Sequence, residues 1–598
     1  MTGTTTDRHT MPAATGGHAV YVALGWVVMA ALLVFTRWPT IGAFALPDTD
    51  DVMRMVQVRD WLNGQDFSDV RQYRMMPASG GADMHWSRLV DLPLAGLILL
   101  LEPLFGMARA ERIAATVVPL IAFLIASLLT ARIASALWGR TAAILAGLFT
   151  LTASAFLTAI VPLRIDHHGW QIVLLLAVVA ALVAARDSWR PGLWAGLALS
   201  LSLTIGLETL PFLALIFALY VLRWTFSGKS AKPVIAVCGT VMALLPLLEA
   251  IFGVQGPGRI MCDMLSPAYV LLALSACGVT GLTAWAGRGW SVWTRVVALA
   301  VGLSAAYAVF ALQHPACRLG PVGTIDPRLS PWLSQVGEAR AFGAAFAVDP
   351  AIAIQMLAVP LFGTLAVLAL MRMTGRRDFA HVMLASLCGL ATLMVAFVQL
   401  RIGVIGAPIA MIALAGLAAH LLPRIRAMRA SVMRTLLTAG VLVGCNSVGV
   451  SVFGVMVARA MTPAAPPAPP IEIAVISCLD GEALRPLASL KPSMIAAPID
   501  VAPRILLWTP HDSSIGPYHR NVDAILTMVG LWTAAPDEAR AALLEMKADH
   551  LLYCPAMPEM ASAREAGDGL AARLENGDVP SWLTAERTTK AYTLYAVR

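Results

Sequence analysis

The stretch Pro47–Gly64, PDTDDVMRMVQVRDWLNG, puts three carboxylates, Asp48, Asp50 and Asp51, shortly after the first apolar run of the chain. Met53, Val56, Val58, Trp61 and Leu62 follow, interspersed with Arg54, Arg59 and Asp60, and this pattern predicts an amphipathic helix lying along a membrane surface. One acid suffices as N-cap or as partner of the helix dipole. Three clustered at a membrane surface point to a metal site.

Working outward, most of the remaining chain is apolar. Of 598 residues, 58% are hydrophobic and 13% charged, against roughly 25% charged in soluble proteins. The reading is a polytopic α-helical membrane protein. Its net charge of +7 is no nucleic-acid signature, because Lys and Arg sit mainly in short loops between apolar runs. Residues 1–18 are polar without an apolar core, which predicts a disordered cytoplasmic tail and not a cleaved signal.

Thirteen spans are expected: Val20–Phe35, Arg112–Thr130, Thr141–Ile160, Trp170–Ala185, Gly192–Ile205, Leu210–Leu222, Val234–Phe252, Ala268–Ala286, Ser291–Leu312, Ala351–Met371, Phe379–Val398, Gly403–Leu422 and Thr435–Ala458. Leu92–Phe105 is too short and reads as an interfacial or re-entrant helix. With the N-terminus cytoplasmic, this count leaves every inner loop basic, from Arg132 and Arg140 to Arg424, Arg426, Arg429 and Arg434. Within the membrane region 19–460, long external loops then fall at 36–111 and 313–350. The C-terminus is external. A Pro-rich linker at 461–470 leads to a small periplasmic α/β domain over 471–598, with strands expected at Ile471–Ser477, Arg504–Thr509, His550–Cys554 and Ala591–Val597 and a helix at Pro536–Lys547. The four cysteines placed outside suggest the pairs Cys262–Cys317 and Cys478–Cys554.

Further polar groups collect on the same external face. Arg164-Ile-Asp166-His167-His168 lies between two spans, and carboxylate plus imidazole in this pattern can converge on a divalent cation. Arg401 sits in a short external turn, against the positive-inside bias, with a fork suited to phosphate. Glu338 stands in the fifth external loop, and Tyr518-His519-Arg520 form a polar cluster fit for an anionic lipid, glycan or other acceptor.

Together these elements resemble the GT-C membrane glycosyltransferases, most of all the catalytic subunit of oligosaccharyltransferases. That family places a metal-binding Asp before an amphipathic helix ending in Gly, as Asp50 to Gly64 does here. An Arg precedes its Asp-x-Asp or Asp-x-Glu, where this chain has Arg164 and Asp166-His167-His168. A fifth-loop Glu corresponds to Glu338, and a donor-phosphate Arg to Arg401. The family's Trp-Trp-Asp acceptor motif is missing: no Trp-Trp occurs in the sequence.

The resemblance implies transfer of a sugar or oligosaccharide from a polyprenyl-phosphate or -diphosphate donor to an external glycan, lipid or protein acceptor other than an Asn sequon. It implies Mg²⁺ or Mn²⁺ held by Asp50, Asp166 and His168, or a metal-independent variant of the chemistry. Asp50 or Asp51, with Glu338, are the candidate catalytic groups. Arg401, His167 and Arg164 are the candidate phosphate ligands, and Tyr518, His519 and Arg520 the candidate acceptor contacts. The expected location is a bacterial inner membrane. A transporter or flippase for a lipid-linked glycan is the alternative. It is disfavoured because the acids gather on one face and not at mid-membrane.

Overall fold

The structure is a computed structural model that describes residues 17–183, 187–229, 231–253, 259–334, 336–461, 478–565 and 567–598. Each of the thirteen expected spans contains a helix, but the third, expected over Thr141–Ile160, ends as a helix at Leu151 and resumes only as the short helix Ser154–Leu157. Among the described residues nine helices are long and apolar enough to cross a membrane, from Gly17–Thr36 to Ile402–Arg426. Three more expected spans form shorter helices, Arg140–Leu151, His168–Leu182 and Trp189–Ile205. The thirteenth, read as one continuous span over Thr435–Ala458, is two helices, Ser431–Gly444 and Ser447–Met461, bent by 83°. Asn446 makes the break: its Oδ1 accepts from the Val448 N–H at 2.9 Å, and its amide donates to Thr152 Oγ1 at 2.9 Å. Ser154 and Ser447 hydroxyls pair beside it at 3.0 Å, so polar groups freed by the bend find partners inside the protein, as an apolar environment demands.

The helix Thr49–Leu62 departs from expectation. It does not lie on a surface: every residue from Asp51 to Val58 is buried. One side packs on Leu94, Ala95 and Ile98 of the helix Asp91–Phe105, and another on Leu506, Leu507 and Tyr518 of the C-terminal region. This shared apolar cluster fastens the segment 36–111 between the apolar helices and the C-terminal region. Polar anchors reinforce it. Arg59 is held bidentately by Glu111 at 2.7 Å and donates to the Leu507 carbonyl at 2.9 Å, while Arg74 donates to the carbonyls of Leu506, Thr509 and His511.

The C-terminal region has its own core and a five-stranded sheet: β1 (Met494–Ala496), β2 (Asp512–Ser513), β3 (His550–Tyr553), β4 (Leu583–Thr588) and β5 (Thr593–Val597), in the order β2-β1-β3-β5-β4. β1 runs parallel to β2 and β3, and β5 antiparallel to β3 and β4. The expected helix appears as Pro536–Glu545, and strands form within two of the expected stretches. Arg504–Thr509 is instead the end of a helix, Ala502–Trp508, begun by Pro503. A proline in the first turn presets helical φ and gives up only an N–H that lacks an intrahelical partner. The strand expected at Ile471–Ser477 lies outside the described residues, as do most of the tail and the linker. Cys262–Cys317 and Cys478–Cys554 are paired, with Cα separations of 4.9 and 6.4 Å. Cys238, Cys277, Cys388 and Cys445 are free and buried.

Candidate functional site

Asp48 caps the helix Thr49–Leu62, accepting from the Asp50 N–H at 3.3 Å. The next turn turns Asp51 inward to organise the Arg164–His168 loop. Its Oδ1 accepts from the backbone N–H groups of Ile165 and Asp166 at 2.8 and 2.9 Å, and its Oδ2 from Arg164 at 3.1 Å. Asp51 is therefore committed to holding that loop, and the geometry does not leave it free to act as a base. Arg164 also pairs with Asp48 at 2.8 Å, which turns its Nη1 from a phosphate ligand into a clamp between the two segments.

The loop delivers Asp166 and His167 buried and His168 half-buried, with ligand atoms within 4.8 Å of one another. His167 Nδ1 meets Asp166 Oδ1 at 2.5 Å and its Nε2 meets Glu208 Oε1 at 2.8 Å. Burial alone would depress this imidazole, but the two carboxylates raise it to about 10 and keep it an imidazolium. Both ring nitrogens are thus occupied, so His167 is not placed to bind a phosphate. Glu208 is in turn held low against burial by His167, His168 and Gln171. On the other side the fully buried Arg54 guanidinium reaches Asp91 at 2.7 Å and Asp166 at 3.4 Å, and lies 5.1 Å over the Trp86 ring. Burial disfavours charge on Asp166, yet His167, His168 and Arg54 outweigh it and keep this carboxylate ionised.

Asp50 is in the opposite state. It stands outside the 4.8 Å cluster, and no protein donor reaches its carboxylate among the described residues. Burial, with Asp166 and Asp48 repelling, pushes it well above the usual carboxylate range. Asp166 Oδ2 is likewise buried without a hydrogen-bond donor, though His168 Nε2 lies 3.3 Å away. A carboxyl crowded by carboxylates next to an orphaned carboxylate oxygen is a donor set short of positive charge. A divalent cation held by Asp166 and His168 and facing Asp50 fits it.

Beside the cluster lies a pocket lined by Arg164, His168, Gln171, Glu208, Glu338 and Arg401, with Thr209 and Gln399. Arg401 meets Glu338 at 3.4 Å, and the backbone N–H groups of Leu400 and Arg401 bond to the carbonyls of Arg340 and Glu338 at 2.7 and 3.2 Å. The segment 313–350 is thereby pinned onto the turn that carries Arg401. Four residues singled out in the sequence, from segments far apart in the chain, meet here.

The C-terminal trio divides. Tyr518 is buried edge-on to Trp86, with ring centroids 5.3 Å apart, and its hydroxyl has no partner. Burial and then Asp50, Asp48 and Asp166 raise its ionisation well above normal. His519 and Arg520 are instead tied to Asp263. His519 Nε2 contacts Oδ2 at 2.9 Å, and Arg520 spans both oxygens at 2.6 and 2.7 Å. Their assignment as acceptor contacts is not what this geometry provides; they join the C-terminal region to the loop after Cys262.

Glu208, Arg54, Asp91, Trp86, His85 and Asp263 were not legible as site residues. Glu208 carried the one available signal, an acid in a short turn between apolar runs on the same face as Asp166.

No family model and no curated protein matches the chain. Solved structures do. The fold is of the GT-C type, in the form seen in oligosaccharyltransferase catalytic subunits. The oligosaccharyltransferase AglB from Archaeoglobus fulgidus, in complex with an inhibitory peptide and a dolichol-phosphate, superposes with a TM-score of 0.65 at 14% identity, over 97% of this chain and 74% of that one. The same protein with Zn and sulfate gives 0.59 at 13%, over 96% and 73%. ArnT from Cupriavidus metallidurans in the apo state gives 0.40 at 12%, over 96% and 98%.

Proposed function

We propose that this multi-pass membrane protein is a glycosyltransferase that moves a sugar or oligosaccharide from a polyprenyl-phosphate or -diphosphate donor to an external acceptor that is not an Asn sequon. The observation that carries this reading is the convergence of Arg164, His168, Glu338 and Arg401 on one pocket beside Asp166. The recess sets the Arg401 guanidinium and the His168 imidazole beside the carboxylates of Glu208 and Glu338, an arrangement that suits a lipid phosphate and its leaving charge when a divalent cation is bound. The AglB structure with dolichol-phosphate bound supports the donor class, since its fold is shared.

In this reading Arg401, about a third exposed at the pocket, contacts donor phosphate and Glu338 orients the bound donor. With a cation beside it to keep its carboxyl ionised, Asp50 would accept the acceptor's proton, and Asp51 and Arg164 hold the Asp166–His168 loop in register. Bound between Asp166, His168 and Asp50, Mg²⁺ or Mn²⁺ would supply electrostatic stabilisation of the departing phosphate. The His167 imidazolium places a fixed positive charge at the same point, which keeps a metal-independent version of the chemistry open to this chain. The acceptor wall includes Tyr518. The basic inner loops orient the N-terminus to the cytoplasm and the site to the periplasmic side of an inner membrane.

The test is donor turnover in proteoliposomes containing labelled polyprenyl-linked sugar and a panel of acceptors. Wild-type protein consumes donor, and Asp50→Ala lowers the rate by about 10³-fold. Turnover by Asp50→Ala close to wild type overturns the mechanism. Movement of the lipid across the bilayer without consumption would establish the flippase reading instead.

A further inference from the structure

A second cluster lies outside the donor pocket. His85 from the first external loop, Asp263 from the loop after Cys262, and His519 from the C-terminal region bring three ligand atoms within 4.8 Å of one another. They come from three segments far apart in sequence, and they meet where the C-terminal region touches both loops. We propose that His85, Asp263 and His519 form a structural Zn²⁺ site that clamps these three segments together.

The chemistry of the donors argues for zinc. Two imidazoles and one carboxylate are a borderline-soft set, whereas the carboxylate-rich donor pocket suits Mg²⁺ or Mn²⁺. Ligand atoms around a tetrahedral zinc at about 2.1 Å stand roughly 3.4 Å apart, so rotamer-scale adjustments close the present arrangement on an ion. His85 supplies the independent observation. Its Nδ1 is buried with no hydrogen-bond partner among the described residues, and its ring lies 5.0 Å from that of His519. That nitrogen stays orphaned unless an ion occupies it. Asp263 already points at His519 with an Oδ2 contact of 2.9 Å. Arg520, on both Asp263 oxygens, takes the position of the outer hydrogen-bonding partner that fixes a ligating carboxylate. Water completes the fourth position. The disulfide Cys262–Cys317 anchors the residue next to Asp263.

The inference does not depend on the proposed reaction, and its test reads metal and not turnover. Full-length protein in detergent, carrying Asp166→Asn and His168→Gln to remove competing ligands of the donor pocket, is stripped with chelator. It is then given Zn²⁺ and assayed for zinc per chain by elemental analysis. One zinc per chain is expected, with a raised unfolding midpoint that chelator reverses. His85→Gln and His519→Gln in the same background should each lower affinity at least about 10-fold, with an unchanged gel-filtration profile. Co²⁺ substitution in the parent should give the intense visible bands of a tetrahedral site, which also serves if a histidine variant does not fold. No zinc in the parent, zinc retained equally in both histidine variants, or only weak octahedral cobalt bands overturns the proposal. The Arg520–Asp263–His519 network would then be a metal-free ion-pair cluster.

Discussion

Arg401 and Arg520 both stand out in the sequence as arginines on the external face, and they end in opposite circumstances. Arg401, about a third exposed, has a single side-chain partner, Glu338, at 3.4 Å. Arg520 is nearly enclosed, spans both oxygens of Asp263 and reaches the Met84 carbonyl at 3.2 Å. The first keeps donor groups for something that arrives; the second spends them on cohesion. The same split runs through the acids, where Asp50 has no donor and Asp51 is saturated. The lesson is that an unusual charged residue earns a functional reading only once its intramolecular partners are known. An arginine meeting a buried acid elsewhere in the chain is part of the scaffold.

The largest effect that would break this contrast belongs to Arg54, the cation under the membrane-side wall. Arg54→Ala takes a buried guanidinium from Asp91 and Asp166 and leaves Asp91 only Arg88, at 3.6 Å, and such removals cost about 3–5 kcal/mol. A markedly lower unfolding midpoint in detergent is expected. An unchanged midpoint would mean that the buried carboxylates need no such support. Next comes the direct comparison. Arg401→Ala should raise the donor KM about 10-fold, roughly 1.4 kcal/mol, with kcat little changed. Arg520→Gln should leave that KM alone and instead make the C-terminal region easier to detach by protease. The reverse outcome would exchange the roles of the two arginines.

The smallest effect concerns Glu559. Burial, with Asp500 nearby, pushes its carboxyl up to about 8, and one of its oxygens lacks a partner. An unfolded glutamate titrates near about 4.3. Between these values the folded chain holds a proton that the unfolded chain has released, so this group makes stability fall as pH rises from about 4 to about 8. Glu559→Gln should flatten that slope, seen as a smaller difference between unfolding midpoints at pH 5 and pH 8. An equally steep slope in the variant would assign it to another group.

The membrane helices were legible because runs of about 20 apolar residues have few other uses. The Asp50, Asp166, His168, Glu338 and Arg401 set is a reading from a topology that puts all of them on one face; of these, His168, Glu338 and Arg401 share one pocket. What escaped had specific physical reasons. Arg504–Thr509 is a short apolar run with no period to separate strand from buried helix, and Pro503 was the overlooked sign. Thr49–Leu62 does show an amphipathic pattern, but its polar residues Arg54 and Gln57 are buried because Asp91, Asp166 and the Val70 carbonyl receive them. Those partners lie beyond the reach of any local pattern. His85, Asp263 and His519 carry no spacing signal at all, being separated by hundreds of residues and joined only by the fold.

The apolar bed of the helix Thr49–Leu62 includes Leu506 and Leu507, and the bond from Arg59 to the Leu507 carbonyl spans 448 positions. During synthesis, the first loop is therefore complete long before its cover exists. Met53, Val56 and their neighbours must wait until the last quarter of the chain has been made. Contacts of such sequence separation form late and leave apolar surface open to misassembly meanwhile. The wall bearing Asp48 and Asp50 is in this sense the last part of the protein to be finished, and a chain cut before the C-terminal region would leave that wall uncovered.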